Sequence, residues 1–286
     1  MTISIDCPAK INWFLLVLGK REDGYHEIQS LMQCIGLYDT LTFEPSDEID
    51  LVCDAPIPKE QNLVYRAAVL LKKHTGTRKG ARITLVKRIP SPAGLGGGSS
   101  DAAHTLTGLS KLWGIELARA EFHALAAQLG SDVPFFLDAS TCPTALVQGR
   151  GEIVTPMGKG IKCALAMFKP PEGIPTGWAY SNVRSYSHDH HEPEEIAAAI
   201  AGGNIRGIRR MLKNDLIPPA LERMPTISAL IDSLHTHGAL YSSMSGSGPT
   251  VFGVFDTIQR AEEAVEDVLL DTGLEGLLWH AVAETL

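Results

Sequence analysis

The sequence has few cysteines, no long apolar run and no excess of basic charge. Its five cysteines are an odd number and contain no CxxC pair, which argues against a disulfide framework and a zinc site. No stretch approaches the ~20 apolar residues of a membrane span, and the opening MTISIDCPAK lacks the basic head and apolar run of a signal peptide. We therefore expect a cytoplasmic protein whose thiols stay reduced.

The charge balance limits the possible partners. The sequence has 25 Lys and Arg residues against 33 Asp and Glu, a net charge of -8, whereas nucleic acids and anionic membranes select clustered basic residues. We expect neither partner, so any anionic ligand must be held by a local site. Nothing in the composition predicts the oligomeric state.

The length allows one large domain or two smaller ones, and we interpret it as two. A chain of 286 residues with 44% hydrophobic content can bury a substantial core. The segment GRGEIVTPMGKG, near residues 150 to 160, is rich in glycine and turn formers and marks the expected boundary. The expected domains are therefore residues 1–155 and 156–286.

Apolar spacing predicts the elements of the first domain. Alternating residues from Ile3, the interruption PAK and the apolar run INWFLLVL suggest two early strands around a break at Lys10. Further predictions are helices over residues 61–75 and 118–129 and a strand over 81–89. A third helix is expected to follow the glycine-rich segment and to end at Gly114.

The second half predicts an α+β domain of the ferredoxin-like type. The expected strands cover residues 161–168, 239–244, 250–255 and 277–283, and the expected helices cover 193–213, 226–236 and 257–271. Allowing one extra helix, this is the strand-helix-strand-strand-helix-strand order of the split βαβ plan.

The segment PSPAGLGGGSSDAA, residues 90–103, predicts a phosphate site. A glycine-rich turn from strand to helix exposes backbone N–H groups, and the helix N-terminus adds unpaired donors and a positive dipole end. Ser99 and Ser100 offer hydroxyls to phosphate or its metal ion, or cap the helix. The segment fits neither the Walker pattern nor the GxGxxG dinucleotide pattern. A flexible turn is the alternative.

Three segments together resemble the signature motifs of the GHMP kinase superfamily: PAKINWFL at residues 8–15, PSPAGLGGGSSDAA at 90–103 and MSGSGPTVFGVF at 244–255. Within it, the segments GKREDGYHEIQSLMQCIGLYDTLTF, QNLVYRAA, LGSDVPFFL and GRGE resemble the branch of the non-mevalonate isoprenoid pathway. The resemblance implies an N-terminal domain of the ribosomal protein S5 domain 2-like type, a ferredoxin-like C-terminal domain, and a cleft between them that binds ATP with Mg²⁺.

The resemblance also implies the reaction and its two central residues. That branch phosphorylates the 2-hydroxyl of a small molecule, a cytidine diphosphate-linked methylerythritol. Asp132 would take the hydroxyl proton, while Lys10 would hold that carboxylate ionised and stabilise the phosphate. Without the resemblance, Lys10 could be an exposed turn lysine and Asp132 a helix N-cap before Pro134.

The remaining site residues follow from the same resemblance, and no metal ligand is assigned beyond a guess at Ser100. The GYH motif points to Tyr25 and His26 as residues that bind the cytidine end of the substrate; alternatively, the two residues only close a hairpin. The other expected substrate-binding residues are Asn12, Thr176 and Tyr180. The expected ATP-binding residues are Asn62, Val64, Pro90, Ser91, Pro92, Ala93, Gly94, Leu95, Gly96, Gly97, Gly98, Ser99 and Ser100. A bulky side chain at Gly97 is expected to damage ATP binding first. The turn SGSG, residues 245–248, would close the site or form a hairpin.

Two other functions remain open, and one polar segment has no assigned role. The chain could be another kinase of the superfamily, acting on homoserine or a mevalonate derivative, or a nucleotide-binding sensor without turnover. The GYH motif and the presence of both Lys10 and Asp132 favour the kinase of the cytidine diphosphate-linked substrate over these two alternatives. The stretch SYSHDHHEPEE, residues 185–195, contains three histidines and is expected to be a solvated loop rather than a metal site.

Overall fold

The computed structural model describes residues 2–286, which build two domains around two β-sheets. The first domain contains β1 (Ile3–Lys20), β2 (His26–Ser46), β3 (Ile49–Cys53), a 3-10 helix (Lys59–Gln61), α1 (Leu63–Thr75), β4 (Gly80–Val86), α2 (Gly97–Trp113), α3 (Arg119–Leu129), α4 (Val133–Phe136), β5 (Thr144–Gly149) and β6 (Ile153–Gly158). The second contains β7 (Ala164–Lys169), α5 (Thr176–Ser181), α6 (Pro193–Ile200), α7 (Ile205–Ile208), α8 (Ile217–Arg223), α9 (Thr226–Thr236), β8 (Tyr241–Met244), β9 (Val251–Phe255), α10 (Ile258–Thr272) and β10 (Trp279–Glu284).

The first sheet is organised by β2, which pairs with β1 along one side and with β4 and β5 along the other. All its pairings are antiparallel except the parallel pair of β3 and β4. The helices α1 to α4 supply apolar residues to the core on this sheet, such as Leu71, Leu106 and Phe135. This mixed α+β domain confirms the expected fold class.

The two early strands expected around the PAK segment are a single strand. Because β2 is 21 residues long, it pairs with β1 from Ile3 to Lys20, with three register shifts along the way. The expected break is a register shift between Pro8 and Ala9. A bulge of this kind bends a strand and redirects the side chains near it, and Lys10 follows directly.

Local signals place several helix ends correctly. Asn62 caps α1, since its Oδ1 accepts from the backbone N–H of Val64 at 2.9 Å, and Gly76 ends the helix with φ 66°. Gly114 ends α2 with φ 67°. The start of α2 differs from the prediction, because the helix begins at Gly97, inside the glycine run rather than after it.

The second sheet has the strand order β10-β7-β9-β8, with all neighbours antiparallel. In chain order this is 4-1-3-2, which confirms the ferredoxin-like plan. Five helices, rather than two, separate β7 from β8. The helix expected over residues 193–213 is broken between α6 and α7, where Gly203 takes φ 64°, a conformation that glycine adopts without strain.

The domains meet through a shared apolar cluster. Trp13 of β1 packs edge-on against Phe252 of β9, with ring centroids 6.3 Å apart. Gln33 accepts a hydrogen bond from the Trp13 indole and donates to the backbone carbonyls of Ile161 and Leu286. Since β6 belongs to the first sheet, we propose that the domains divide between Gly158 and Ala164 rather than at residue 155. Within residues 2–286, no helix is long and apolar enough to cross a bilayer.

Candidate active site

A cavity of about 670 Å³ lies between the domains. Its walls come from β1, the start of β2, the loop into α2, the residues before α4, and the second-domain segments around Thr176 and Gly246. Seventeen of the predicted positions line it: Lys10, Asn12, Tyr25, His26, the ten residues from Pro90 to Ser99, Asp132, Thr176 and Tyr180.

Lys10 is the most enclosed charged group of this cavity. The residue is only 2% exposed, so it is not a surface turn lysine. Its ammonium donates to Asn12 Oδ1 at 2.7 Å and to the carbonyl of Gly94 at 2.9 Å, and lies 3.7 Å from Asp132 Oδ2. Burial lowers the pKa of Lys10, and the Asp132 carboxylate opposes that shift. With two of three donors engaged, one remains for the carboxylate or a ligand.

Asp132 directs its carboxylate into the cavity rather than capping α4. It occupies the position before Val133, but within residues 2–286 its side chain makes no capping hydrogen bond. About a third of the side chain is exposed, on the cavity side. The competing N-cap interpretation therefore does not describe this residue.

The glycine-rich loop joins the cavity wall to β1 and leads directly into α2. The backbone N–H of Lys10 donates to the carbonyl of Leu95 at 2.9 Å, which fixes the loop against the strand. Gly97, Gly98 and Ser99 form the first turn of α2 and line the cavity. The first N–H groups of a helix have no partner within it, so this end of the cavity suits an anion.

Two glycines of the loop leave no room for a side chain. A Cβ on Gly94 would lie 2.0 Å from the carbonyl oxygen of Ser245, and one on Gly96 would lie 2.9 Å from the Phe136 ring. Both residues also have positive φ, at 78° and 72°. Their absence of a side chain therefore lets the loop contact α4 and the second domain.

Three expected ATP residues do not line the cavity. Ser100 is fully buried, and its Oγ lies 3.4 Å from His104 Nδ1. Val64 packs in the first-domain core, and its neighbour Leu63 reaches the cavity instead. Asn62 serves as the cap of α1, although its Nδ2 atom is buried without a hydrogen-bond partner among residues 2–286.

Aromatic side chains cluster at the opposite end of the cavity. The His26 ring stacks on Tyr180 with centroids 5.5 Å apart and an interplanar angle of 24°. The Arg150 guanidinium lies 4.8 Å from the centroid of the Tyr25 ring. Burial, and then the Lys20 ammonium, lower the pKa of His26. At neutral pH the imidazole therefore offers one donor and one acceptor.

Arg150 and Tyr186 also line this end of the cavity, although neither is among the site residues expected from the sequence. Arg150 belongs to the GRGE segment, which resembles the kinase branch named above but predicted no role for the arginine. Tyr186 belongs to the stretch 185–195, which was expected to be a solvated loop. Its ring centroid lies 6.2 Å from that of His26. That stretch is docked on the first domain, because the Gln29 amide and the His191 backbone exchange two hydrogen bonds at 2.9 Å. Its composition carried no signal of this contact.

A buried ion cluster lies behind the glycine-rich loop. The Lys87 ammonium contacts the carboxylates of Asp39 and Asp101, at 2.8 Å for the latter. Asp39 also accepts from the backbone N–H groups of Arg88 and Ile89. Burial raises the pKa of Asp101 to about 7, against the opposing effect of Lys87. The cluster ties the end of β4 to the first turns of α2.

Comparison with known proteins assigns the family. The family models for the GHMP kinases N terminal domain and the GHMP kinases C terminal domain match residues 62–139 and 196–270. Over 97% of its length, the chain is 41% identical to 4-diphosphocytidyl-2-C-methyl-D-erythritol kinase of Thermodesulfovibrio yellowstonii, of which 96% is covered. The chain belongs to this kinase family. The enzyme of the same name from Thermoanaerobacter pseudethanolicus is 40% identical, with 93% of this chain and 92% of that protein covered.

The solved structures agree with this assignment. A crystal structure of 4-(cytidine 5'-diphospho)-2C-methyl-D-erythritol kinase matches with a TM-score of 0.80 and 35% identity, covering 98% of this chain and 99% of that one. Homoserine kinase from Cytophaga hutchinsonii matches with a TM-score of 0.72 at 15% identity, covering 100% of this chain and 94% of that one, which shows the shared fold alone. As a GHMP-family kinase, the chain uses ATP as its co-substrate.

Proposed function

We propose that this chain transfers the γ-phosphoryl group of ATP to the 2-hydroxyl of 4-diphosphocytidyl-2-C-methyl-D-erythritol. One observation carries the proposal. The Lys10 and Asp132 pair lies in a single cavity that has the N-terminus of α2 at one end and the aromatic cluster of Tyr25, His26 and Tyr180 at the other. The cavity thus joins a site for phosphate to a site for a nucleobase.

The ATP phosphates bind at the first turn of α2. Backbone N–H groups of Gly97, Gly98 and Ser99 face this part of the cavity, and the helix dipole adds positive potential there. The adenine extends toward Leu63, the residue of α1 that reaches the cavity.

Lys10 and Asp132 act on the transferred group and the attacking oxygen. As the 2-hydroxyl oxygen bonds to the γ-phosphorus, its proton passes to Asp132 and the bond to the ADP oxygen breaks. The third donor of the Lys10 ammonium remains available to the phosphate or to the Asp132 carboxylate, which lies 3.7 Å away. The two hydrogen bonds to Asn12 and Gly94 hold the ammonium in place before substrate binds, which saves the cost of ordering a long side chain.

Mg²⁺ arrives with the nucleotide and needs few protein ligands. The ion prefers oxygen donors and commonly keeps several waters alongside one or two carboxylates and the phosphates. The cavity offers such an oxygen on Ser99. Ser99 therefore replaces Ser100 as the hydroxyl for the ion, since Ser100 is enclosed beside His104. When bound, Mg²⁺ would neutralise charge on the phosphates.

The aromatic cluster holds the cytidine. Tyr25 and Tyr180 offer ring faces for stacking, and the neutral His26 imidazole offers a donor and an acceptor for the edge of the base. Thr176, whose Oγ1 lies 3.0 Å from Ser247 Oγ, and Asn12 flank the path between the base and the reaction centre. This reaction needs neither nucleic acid nor membrane. We place it in the cytoplasm, where ATP is supplied and the five free thiols stay reduced.

The test is ADP release from ATP and Mg²⁺ with four reaction mixtures. They contain 4-diphosphocytidyl-2-C-methyl-D-erythritol, homoserine, mevalonate, or no acceptor. We expect turnover with the cytidyl substrate alone. Turnover with homoserine or mevalonate instead would overturn the substrate but keep the phosphate site, and ATP binding without turnover on any acceptor would identify a nucleotide sensor.

A further inference from the structure

We propose that Asn214 is a positioning residue for the reaction, which holds the glycine turn over Lys10. The glycine turn is residues 245–248, SGSG. The inference rests on the proposed function, because it assigns a role in the kinase reaction to a residue outside the cavity wall.

Asn214 is 7% exposed, and its side chain makes three hydrogen bonds, all to backbone groups. Its Nδ2 donates to the carbonyl of Met244 at 2.7 Å and to that of Gly246 at 2.9 Å. Its Oδ1 accepts from the N–H of Leu216 at 2.9 Å. One amide therefore binds the end of β8 and the middle of the glycine turn together.

The backbone around Asn214 is fastened to β1. The N–H of Leu15 donates to the carbonyl of Lys213 at 2.8 Å, and the N–H of Asp215 donates to the carbonyl of Leu15 at 2.9 Å. The Asp215 carboxylate accepts from the N–H of Val17 at 2.9 Å. Residues 213–215 thus extend along β1, the strand that carries Lys10 and Asn12, and Asn214 sets the distance from that strand to the glycine turn.

The glycine turn in turn forms the surroundings of Lys10. A Cβ on Gly246 would lie 3.2 Å from Lys10 Nζ and 3.1 Å from the carbonyl oxygen of Gly94. Ser245 Oγ donates to the same Gly94 carbonyl at 2.9 Å, so this oxygen accepts hydrogen bonds from both Ser245 and the Lys10 ammonium. A shift of the turn therefore moves the carbonyl and the ammonium that face the transferred phosphate.

Only an amide suits this position. A carboxylate would face two carbonyl oxygens without a proton to donate, and an apolar side chain would leave both carbonyls unpaired. Small misplacements of reacting groups cost rate rather than binding. We expect Asn214→Asp to lower kcat by about 10- to 100-fold, with the KM values for ATP and the cytidyl substrate within about threefold of wild type.

The matched control is Asp215→Ala. It removes the contact to Val17 and the ion pair with Lys213 from the same segment but leaves both Asn214 hydrogen bonds to the end of β8 and the glycine turn. The variants are compared for melting temperature, kcat, both KM values, and hydrogen–deuterium exchange of residues 244–250. We expect Asp215→Ala to lose melting temperature while kcat stays within about threefold, and Asn214→Asp to lose kcat and exchange faster in the turn.

Three results would overturn the proposal: an unchanged kcat in Asn214→Asp, a kcat loss in both variants that follows the melting temperature, or unchanged exchange of residues 244–250 in Asn214→Asp. If Asn214→Asp does not fold, Asn214→Ser, which keeps one donor and leaves room for a water, gives the same comparison. The exchange experiment needs no substrate. Inactivity of the wild type with every acceptor would therefore refute the proposed function, whereas unchanged exchange in 244–250 would refute the role of Asn214.

Discussion

The Nζ atom of Lys10 lies 3.7 Å from Oδ2 of Asp132, although the two residues are on separate elements and far apart in the chain. Lys10 is on β1, after the bulge at Pro8 and Ala9, and Asp132 stands directly before α4. The loop between β4 and α2 holds Lys10 in place, because it contacts the residue through both its backbone and its ammonium. The chemistry proposed for the chain depends on this arrangement.

Asp132→Asn should lower turnover far more than nucleotide affinity. The amide keeps the size of the side chain but cannot accept the proton, so kcat should fall by about 100- to 10,000-fold, while the Kd for ATP changes by less than about threefold. Steady-state kinetics and calorimetric titration with ATP measure the two quantities. Asp138→Asn, a change at an ion pair with Arg119 outside the cavity, is the control. Near-normal turnover of Asp132→Asn would show that another group takes the proton.

Gly98→Ala and Gly97→Ala should separate binding from folding. A Cβ on Gly98 has room, with Leu63 Cδ1 at 3.6 Å, and alanine in a helix stabilises by about 0.5–1 kcal/mol over glycine. We expect a higher melting temperature and weaker ATP binding, since the methyl group enters the phosphate site. A Cβ on Gly97 would lie 2.9 Å from Ile89 Cγ2, so this change should cost about 1–3 kcal/mol of stability.

The expectation that Gly97 substitutions act first on ATP therefore changes. The structure directs the Cβ of Gly97 at the core and that of Gly98 at open space near the cavity. Equal melting temperatures for the two variants would contradict this assignment.

The KM for the cytidyl substrate should depend on pH only in the acid range. Burial and the Lys20 ammonium lower the pKa of His26 from its ordinary value of 6.5. The imidazole is therefore neutral above that pH, and KM should rise only below it, as protonation removes the acceptor nitrogen. Measurement of KM between pH 5 and 8 tests this.

Two variants sharpen the pH experiment. His26→Gln should abolish the acid rise in KM, and Lys20→Met should move it to higher pH, because one cause of the lowered pKa is removed. A KM profile in His26→Gln that matches the wild type would show that the imidazole does not read the base.

The ion cluster behind the loop should make stability depend on pH. Burial raises the pKa of Asp101 from 3.8 to about 7. The folded chain therefore binds this proton more tightly than the unfolded chain, and the contribution is fully present below pH ~4 and lost as the pH rises toward about 7. In Asp101→Asn the side chain has no such proton, so this loss should be absent.

The measured quantity is the difference in unfolding free energy between Asp101→Asn and wild type, from urea titrations at pH 5 and 8. We expect the variant to gain relative to wild type as the pH rises. Taking the difference cancels the histidines, which titrate in the same range. A difference independent of pH would show that Asp101 is ionised throughout.

The sequence by itself determined the features that depend on neighbouring residues. The cap at Asn62, the stop at Gly76 and the span of α9 were all readable, because a capping side chain and a left-handed glycine act within one helical turn. The order of strands and helices predicted the ferredoxin-like domain. The motifs around Lys10, the glycine-rich loop and Asp132 identified the family, because their residues and their order along the chain were sufficient for that.

Only the tertiary structure decided where distant segments meet. Spacing suggested two early strands, but the length of β2 makes β1 continuous. Ser99 and Ser100 are equivalent by composition, yet the helix turns one toward the cavity and the other toward His104. Tyr186 packs near His26 at the start of β2, which is more than a hundred positions away in the chain. The segment around Asn214 is hydrogen-bonded to β1, which is equally distant, and the Asn214 side chain is hydrogen-bonded to the end of β8. Such contacts are set by the packing of whole elements, and no local pattern encodes them.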